Sequence, residues 1–187
     1  MKDYAAKDIR NFAIGGHGGS GKTMLAEAML SKSGEINRLG SIESGSTVSD
    51  YHQDEHDRQI SIHSSPLHLE WNDTKFNLID TPGYLDFIGE TISSLAVVDA
   101  AVVVVHAVNG VEVGTEQVWN YASNYGLPKI LVVNGLDREH TQFDKVLQQA
   151  KDHFGANVFP LQLPVNSGPG FNQIIDVLRS ELITYST

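Results

Sequence analysis

The sequence contains no cysteine among its 187 residues. Disulfides, thiolate metal centres and a cysteine nucleophile are therefore excluded, and a reducing compartment suits the chain. It also lacks a long apolar run. The most apolar stretch, Leu95 to Val108, is interrupted by Asp99 and His106 and is too short to span a bilayer. The first residues, Met1-Lys2-Asp3-Tyr4-Ala5, have none of the apolar character of a signal-peptide core. Positive charge is scarce: 13 Lys and Arg face 23 Asp and Glu, for a formal net charge of −10. So acidic a chain is a poor non-specific partner for nucleic acid or anionic membrane. Any polyphosphate it binds needs a divalent cation and local backbone dipoles to offset the repulsion. These absences predict a cytoplasmic protein without a membrane partner and without strong direct nucleic-acid binding. No internal repeat or interdomain linker is visible. Hydrophobic residues make up 41%, enough for one domain with a real core.

What the sequence does have is a phosphate-binding loop. Residues 16–23, Gly16-His17-Gly18-Gly19-Ser20-Gly21-Lys22-Thr23, satisfy GxxxxGK[ST] at every required position. The apolar run Asn11-Phe12-Ala13-Ile14 leads in as a strand, and residues 24–30 lead out as a helix. That context makes an anion site from backbone alone. The glycines let N–H groups turn inward, and the helix N-terminus adds a favourable dipole. The expected phosphate cradle is His17, Gly18, Gly19, Ser20, Gly21, Lys22 and Thr23, with Lys22 on the β/γ-phosphates and the Thr23 hydroxyl on Mg²⁺.

Apolar runs alternate with helical patterns along the chain, which predicts a parallel sheet covered by helices. Strands are expected at 9–14, 60–71, 75–80, 100–106, 129–133 and 158–163. Helices are expected at 22–31, 85–97, 115–124 and 143–154. The unalternating run Ala101-Val102-Val103-Val104-Val105 reads as a strand buried on both faces. Segment 39–59 is polar and aperiodic and reads as a long surface loop. In the tail, Phe171, Ile174, Ile175, Leu178 and Leu182 fall at helical spacing and favour a closing helix, while β-branched Ile174-Ile175 keeps a strand open.

Two further motifs narrow the chemistry. Asp80-Thr81-Pro82-Gly83 follows the strand Phe76-Asn77-Leu78-Ile79. An Asp in that place can hold Mg²⁺ through water, and the Gly83 N–H can approach a γ-phosphate because no side chain blocks it. Asn134-Gly135-Leu136-Asp137 follows the strand 129–133. The Asp137 carboxylate can accept from guanine N1–H and N2–H₂, a donor pair adenine lacks.

With these motifs in order, the chain resembles the G domain of translational GTPases, most of all elongation factor G and its paralogues. The likeness extends over nearly the whole chain and includes Asp86-Phe87, Asp99-Ala100-Ala101, Gly110-Val111-Glu112 and Asp137-Arg138. It implies a P-loop NTPase three-layer sandwich: a mostly parallel six-stranded sheet with helices on both faces. It implies GTP and GDP binding with Mg²⁺, ribosome-stimulated hydrolysis, and two effector loops that order around the γ-phosphate. Residues 1–187 are expected to be one G domain, the N-terminal fragment of a larger factor. A ribosome-protection or release factor shares the same motifs, and a weakly hydrolysing nucleotide sensor is the alternative from another class.

The chain also departs from the family pattern. Tyr84 stands where the family carries a water-positioning His. A phenol can donate or accept a hydrogen bond but is never a cation, so slow intrinsic hydrolysis is expected; the other reading is that Tyr84 packs over the loop. Ser61 replaces the Mg²⁺-ligating Thr of the first switch, keeping the hydroxyl. Just before it, His52, Asp54, Glu55, His56 and Asp57 do not follow the zincin order and read as a solvated switch loop. Gly135 replaces a Lys whose stem covers the base, which predicts weaker nucleotide binding and a gain on restoring Lys. Gly19 replaces a frequent Asp. The resemblance thus implies Thr23, Ser61 and Asp80 as metal ligands, Asn134 and Asp137 as guanine-binding, and Lys22, Gly83 and Tyr84 as the catalytic set.

Overall fold

The computed structural model describes residues 2–186. Its strands are β1 (Ile9–Gly16), β2 (Ser65–Trp71), β3 (Thr74–Asp80), β4 (Ala100–His106), β5 (Lys129–Asn134), β6 (Gln162–Pro164), β7 (Gln173–Asp176) and β8 (Glu181–Thr184). Its helices are α1 (Lys22–Ser33), α2 (Gln53–Arg58), α3 (Ile88–Leu95), α4 (Val113–Asn124) and α5 (Phe143–Phe154). The chain divides into two compact units. One comprises the residues up to 104 together with 113–132; the other comprises 105–112 and the residues from 133 onward.

The first unit is built on a sheet of order β2-β3-β1-β4-β5. β1 pairs in parallel with both β3 and β4. β2 runs antiparallel to β3, joined by Asn72 and Asp73, both at positive φ (49° and 58°) as a tight primed turn requires. Successive residues of the central strands serve opposite faces. Ala13, Ala101 and Val103 pack with Leu95 of α3 and with Val118 and Ala122 of α4. Ile14, Val102 and Val104 pack with Ala26 and Leu30 of α1. Helices therefore cover both faces, and the α/β sandwich with a mostly parallel sheet is as expected. The strand count differs. Five strands rather than six are joined in this sheet, because the strand expected at 158–163 begins only at Gln162 and lies in a separate antiparallel sheet, β6-β7-β8.

In the second unit, α5 matches its expected limits. The tail is a strand hairpin rather than a closing helix. Ile174 pairs with Ile183 and Ile175 with Leu182, so the β-branched content prevails over the helical spacing. The turn explains why: the Arg179 N–H donates to Asp176 Oδ1 at 3.0 Å, and Ser180 takes φ 56°.

Segment 39–59 runs over the surface as its composition suggests, but it is anchored inward and holds one short helix. Thr47, Ser49, Asp50 and Glu55 are buried, and Gln53–Arg58 form α2.

Candidate functional site

The loop between β1 and α1 turns sharply because glycine allows it: Gly16, Gly19 and Gly21 sit at φ 144°, 79° and 91°. The Lys22 ammonium reaches back to the His17 carbonyl at 2.9 Å, closing the loop on itself. His17 Nδ1 accepts the Gly114 N–H at 3.3 Å, anchoring the loop to the start of α4. Burial pushes Lys22 down to about 8, against the pull of Asp80 and Asp50.

Asp80 ends β3 beside this loop. Its Oδ2 accepts the Ser49 hydroxyl at 2.9 Å, while its Oδ1 is buried without a partner. Burial pushes its carboxyl up to about 6, opposed by the Thr23 hydroxyl, Lys22 and Ser49. The following residue fixes the strand end: the Thr81 N–H and hydroxyl both donate to the Ile14 carbonyl, at 3.2 and 2.8 Å.

Ser61 is brought to the same place, its Oγ 3.1 Å from Thr23 Oγ1. Asp50 joins it; burial raises the Asp50 carboxyl, and a hydrogen bond from Ser61 opposes the rise. Thr23, Ser61, Asp80 and Asp50 make a set of hard oxygen donors with one orphaned carboxylate oxygen, which fits Mg²⁺.

Gly83 lies so close that a Cβ there would meet Lys22 Nζ and sit 2.7 Å from the Gly18 nitrogen. Tyr84 covers the loop from outside, 45% exposed. A Cβ on Gly18 would lie 3.1 Å from its ring, so the packing reading of Tyr84 has a direct counterpart.

Two buried carboxylates hold segment 40–63: Glu27, which sequence reasoning missed, and Glu55, which it read as solvated. Glu27, one turn beyond Thr23 on α1, is buried and accepts the N–H groups of Gly40, at 2.9 Å, and Val48. Glu55 is equally buried and accepts from His52, Ile62 and His63 at 3.2, 2.9 and 3.0 Å. Only the i, i+4 phase of Glu27 with Thr23 could have flagged the first.

In the second unit, Asn134 ends β5 and its carbonyl accepts the Ala107 N–H at 2.8 Å. Gly135 takes φ 78°, the Arg138 N–H returns to the Gly135 carbonyl, and Asp137 is exposed. The loop at Asn166-Ser167-Gly168 meets this turn: the Gly168 N–H donates to the Leu136 carbonyl at 2.7 Å. A separate apolar cavity of about 580 Å³, lined by Phe12, Met29, Leu69, Trp71 and Phe76 among others, involves none of the site residues.

Along the chain the phosphate loop is followed by the Ser61 hydroxyl and then by the strand-end Asp80, and one family model matches. It matches residues 7–183 and describes the elongation factor Tu GTP binding domain. The chain belongs to this family. Among its relatives, the mitochondrial ribosome-releasing factor 2 of Candida dubliniensis is 40% identical over 100% of this chain and 24% of that protein. Elongation factor G of Salinibacter ruber is 36% identical over 98% of the chain and 26% of its own length. Elongation factor G of Mycoplasma pneumoniae is 38% identical over 94% and 25%. A crystal structure from Thermus thermophilus superposes with a TM-score of 0.90 at 36% identity, covering 96% of this chain and 27% of that one. This G domain thus spans about a quarter of the length of the curated relatives it matches.

Proposed function

We propose that this G domain binds GTP and GDP with Mg²⁺ and hydrolyses GTP to GDP and phosphate, as the switch of an elongation factor G-like translational GTPase stimulated by the ribosome. The observation that carries this reading is the convergence of the Lys22 ammonium, the Thr23–Ser61 hydroxyl pair and the buried Asp80 carboxylate at one phosphate loop.

The backbone of residues 17–23 cradles the phosphates, and the Lys22 ammonium offsets charge on the β- and γ-phosphate oxygens. Thr23, Ser61 and Asp80 hold Mg²⁺, with Asp50 behind Ser61. When bound, the ion neutralises charge that develops on the phosphate oxygens. Gly83 leaves its N–H open toward the γ-phosphate because no Cβ fits there. Water attacks the γ-phosphorus, the bond to the β–γ bridging oxygen breaks, and that oxygen leaves on GDP. Tyr84 supplies a phenol where the attacking water is positioned. A phenol cannot become a cation, so intrinsic turnover is slow. Asn134 and Asp137 read guanine.

A second reading has support of its own. The relative at 40% identity is named a ribosome-releasing factor, so the translational step served is either elongation or ribosome release. This reading places the protein in the cytoplasm, with the organelle of its mitochondrial relative as the alternative. The test is phosphate release from GTP and ATP with Mg²⁺, with and without ribosomes, using Lys22→Ala as the blank. GTP-selective, ribosome-stimulated release is expected; equal release from ATP, or none above the blank, would refute the reading.

A further inference from the structure

We propose that His52, Asp54 and His63 form a transition-metal site of the zinc type, which staples together the two ends of the segment carrying Ser61. The sequence pattern around 52–57 does not give the set, because its third member lies beyond α2. The fold brings them together. One ligand atom from each lies within 4.8 Å of the others. His63 Nε2 is 3.6 Å from Asp54 Oδ2, and the two imidazole rings are 4.5 Å apart. Ligand atoms around tetrahedral zinc, with bonds of about 2.0–2.1 Å, stand about 3.3 Å apart. Closing the set therefore takes side-chain adjustment of up to about 1.5 Å.

The chemistry selects the ion. Two neutral imidazoles and one carboxylate favour Zn²⁺ or Co²⁺ over Mg²⁺, and a water completes a four-coordinate shell. The side chains of His63 and Asp54 are 44% and 49% exposed, so the ion has access from solvent.

The scaffold under the ligands is already fixed. One buried carboxylate, Glu55, holds both imidazole-bearing backbone positions: its Oε2 accepts the His52 N–H and its Oε1 the His63 N–H. Asp54 Oδ1 accepts the Glu55 N–H at 3.1 Å, which orients the carboxylate and leaves Oδ2 toward His63. The Tyr51 ring, 4.3 Å from His52, restricts that imidazole. The neighbouring His56 is not part of the set, since its Nε2 is engaged with the Asp50 carbonyl at 2.7 Å. An ion here ties the start of α2 to the irregular stretch between Ser61 and β2. Its effect on Ser61 rests on the function proposed above; metal capture does not.

The test uses tag-free protein in millimolar Mg²⁺, titrated with Zn²⁺ by calorimetry and with Co²⁺ by visible absorption. About one ion per chain is expected, with the intense absorption of four-coordinate Co²⁺. His52→Ala and His63→Ala should each weaken binding about tenfold or more, while His68→Ala, an imidazole outside the set, should leave it unchanged. His63→Cys should restore binding, which separates ligand loss from misfolding. Zn²⁺ should also slow tryptic cleavage after exposed Arg58 several-fold, a readout independent of nucleotide. Absence of binding, or binding that survives the His52→Ala/His63→Ala double variant, overturns the proposal and leaves His63 and Asp54 in a simple surface contact.

Discussion

Lys22 and Asp137 are the residues on which the proposed chemistry depends most directly. A buried ammonium that bonds phosphate makes a charge-assisted hydrogen bond, so Lys22→Ala should weaken GDP binding about 10- to 100-fold in a fluorescent-nucleotide titration. Asp137→Asn should shift preference from GDP toward xanthosine diphosphate, whose C2 carbonyl can accept from the amide; unchanged GDP binding in a competition assay would remove Asp137 from the guanine site. Gly135 is a case where structure alters a sequence expectation. Restoring Lys should cover the base and tighten GDP binding, but Gly135 sits at φ 78° and its Cβ would lie 3.3 Å from His106 Nε2. The left-handed backbone costs a non-glycine residue about 1–2 kcal/mol, so urea unfolding of Gly135→Lys should show a loss of that order even where affinity rises. For Tyr84, replacement by His should raise ribosome-stimulated turnover if the phenol occupies the water-positioning place. No rise would leave it only the packing role visible against Gly18.

Among the elements, α2 and its flanks gave the least sign of themselves beforehand. Segment 39–59 has no hydrophobic period because its interior is polar. Thr47, Ser49, Asp50 and Glu55 are buried, and the segment is held by side-chain-to-backbone bonds that leave no periodic trace in a sequence. Glu55→Ala strands three backbone N–H groups at once. The Ile62 bond is buried and those of His52 and His63 are part-buried, so at about 1–3 kcal/mol for a buried unsatisfied donor, hydrogen exchange should report about 1–3 kcal/mol of lost protection at Ile62 and less at His52 and His63. Exchange left as in the parent would mean that Glu55 does not hold the segment. The tail hairpin was obscured for another reason. Ile174, Ile175 and Leu182 satisfy helical spacing as well as strand pairing, Leu178 falls in the turn between the two strands, and the Arg179 N–H to Asp176 bond fixes that turn.

At the scale of the whole molecule, the acidic balance sets the terms of ligand binding. A chain of net charge −10 binds a further polyanion only where local dipoles and a cation offset the repulsion. Mg²⁺ and nucleotide should therefore stabilise the fold together. At ligand concentrations about 100 times Kd the gain is about 2.7 kcal/mol, and EDTA should abolish most of the thermal shift that GDP produces. GDP stabilisation that ignores EDTA would count against Thr23, Ser61 and Asp80 as metal ligands. The core itself is legible: the run 101–105 reads as doubly buried, and Val103, Val104 and Val105 are wholly inaccessible.

The phosphate loop, the strand-end Asp80, the Asn134–Asp137 turn and the buried central strand were determined by the sequence alone. Each depends on local geometry: glycines that permit positive φ, a residue placed at a strand end, or an apolar run with no polar alternation. Tertiary structure decided what depends on residues far apart in the chain. It set Ser61 against Thr23 across 38 positions, placed Ser49 on Asp80, bound His52 and His63 to one buried Glu55, and gave the last strands their own sheet. Polar side chains bond to whatever the fold presents to them, so their partners carry no spacing rule that a sequence could display.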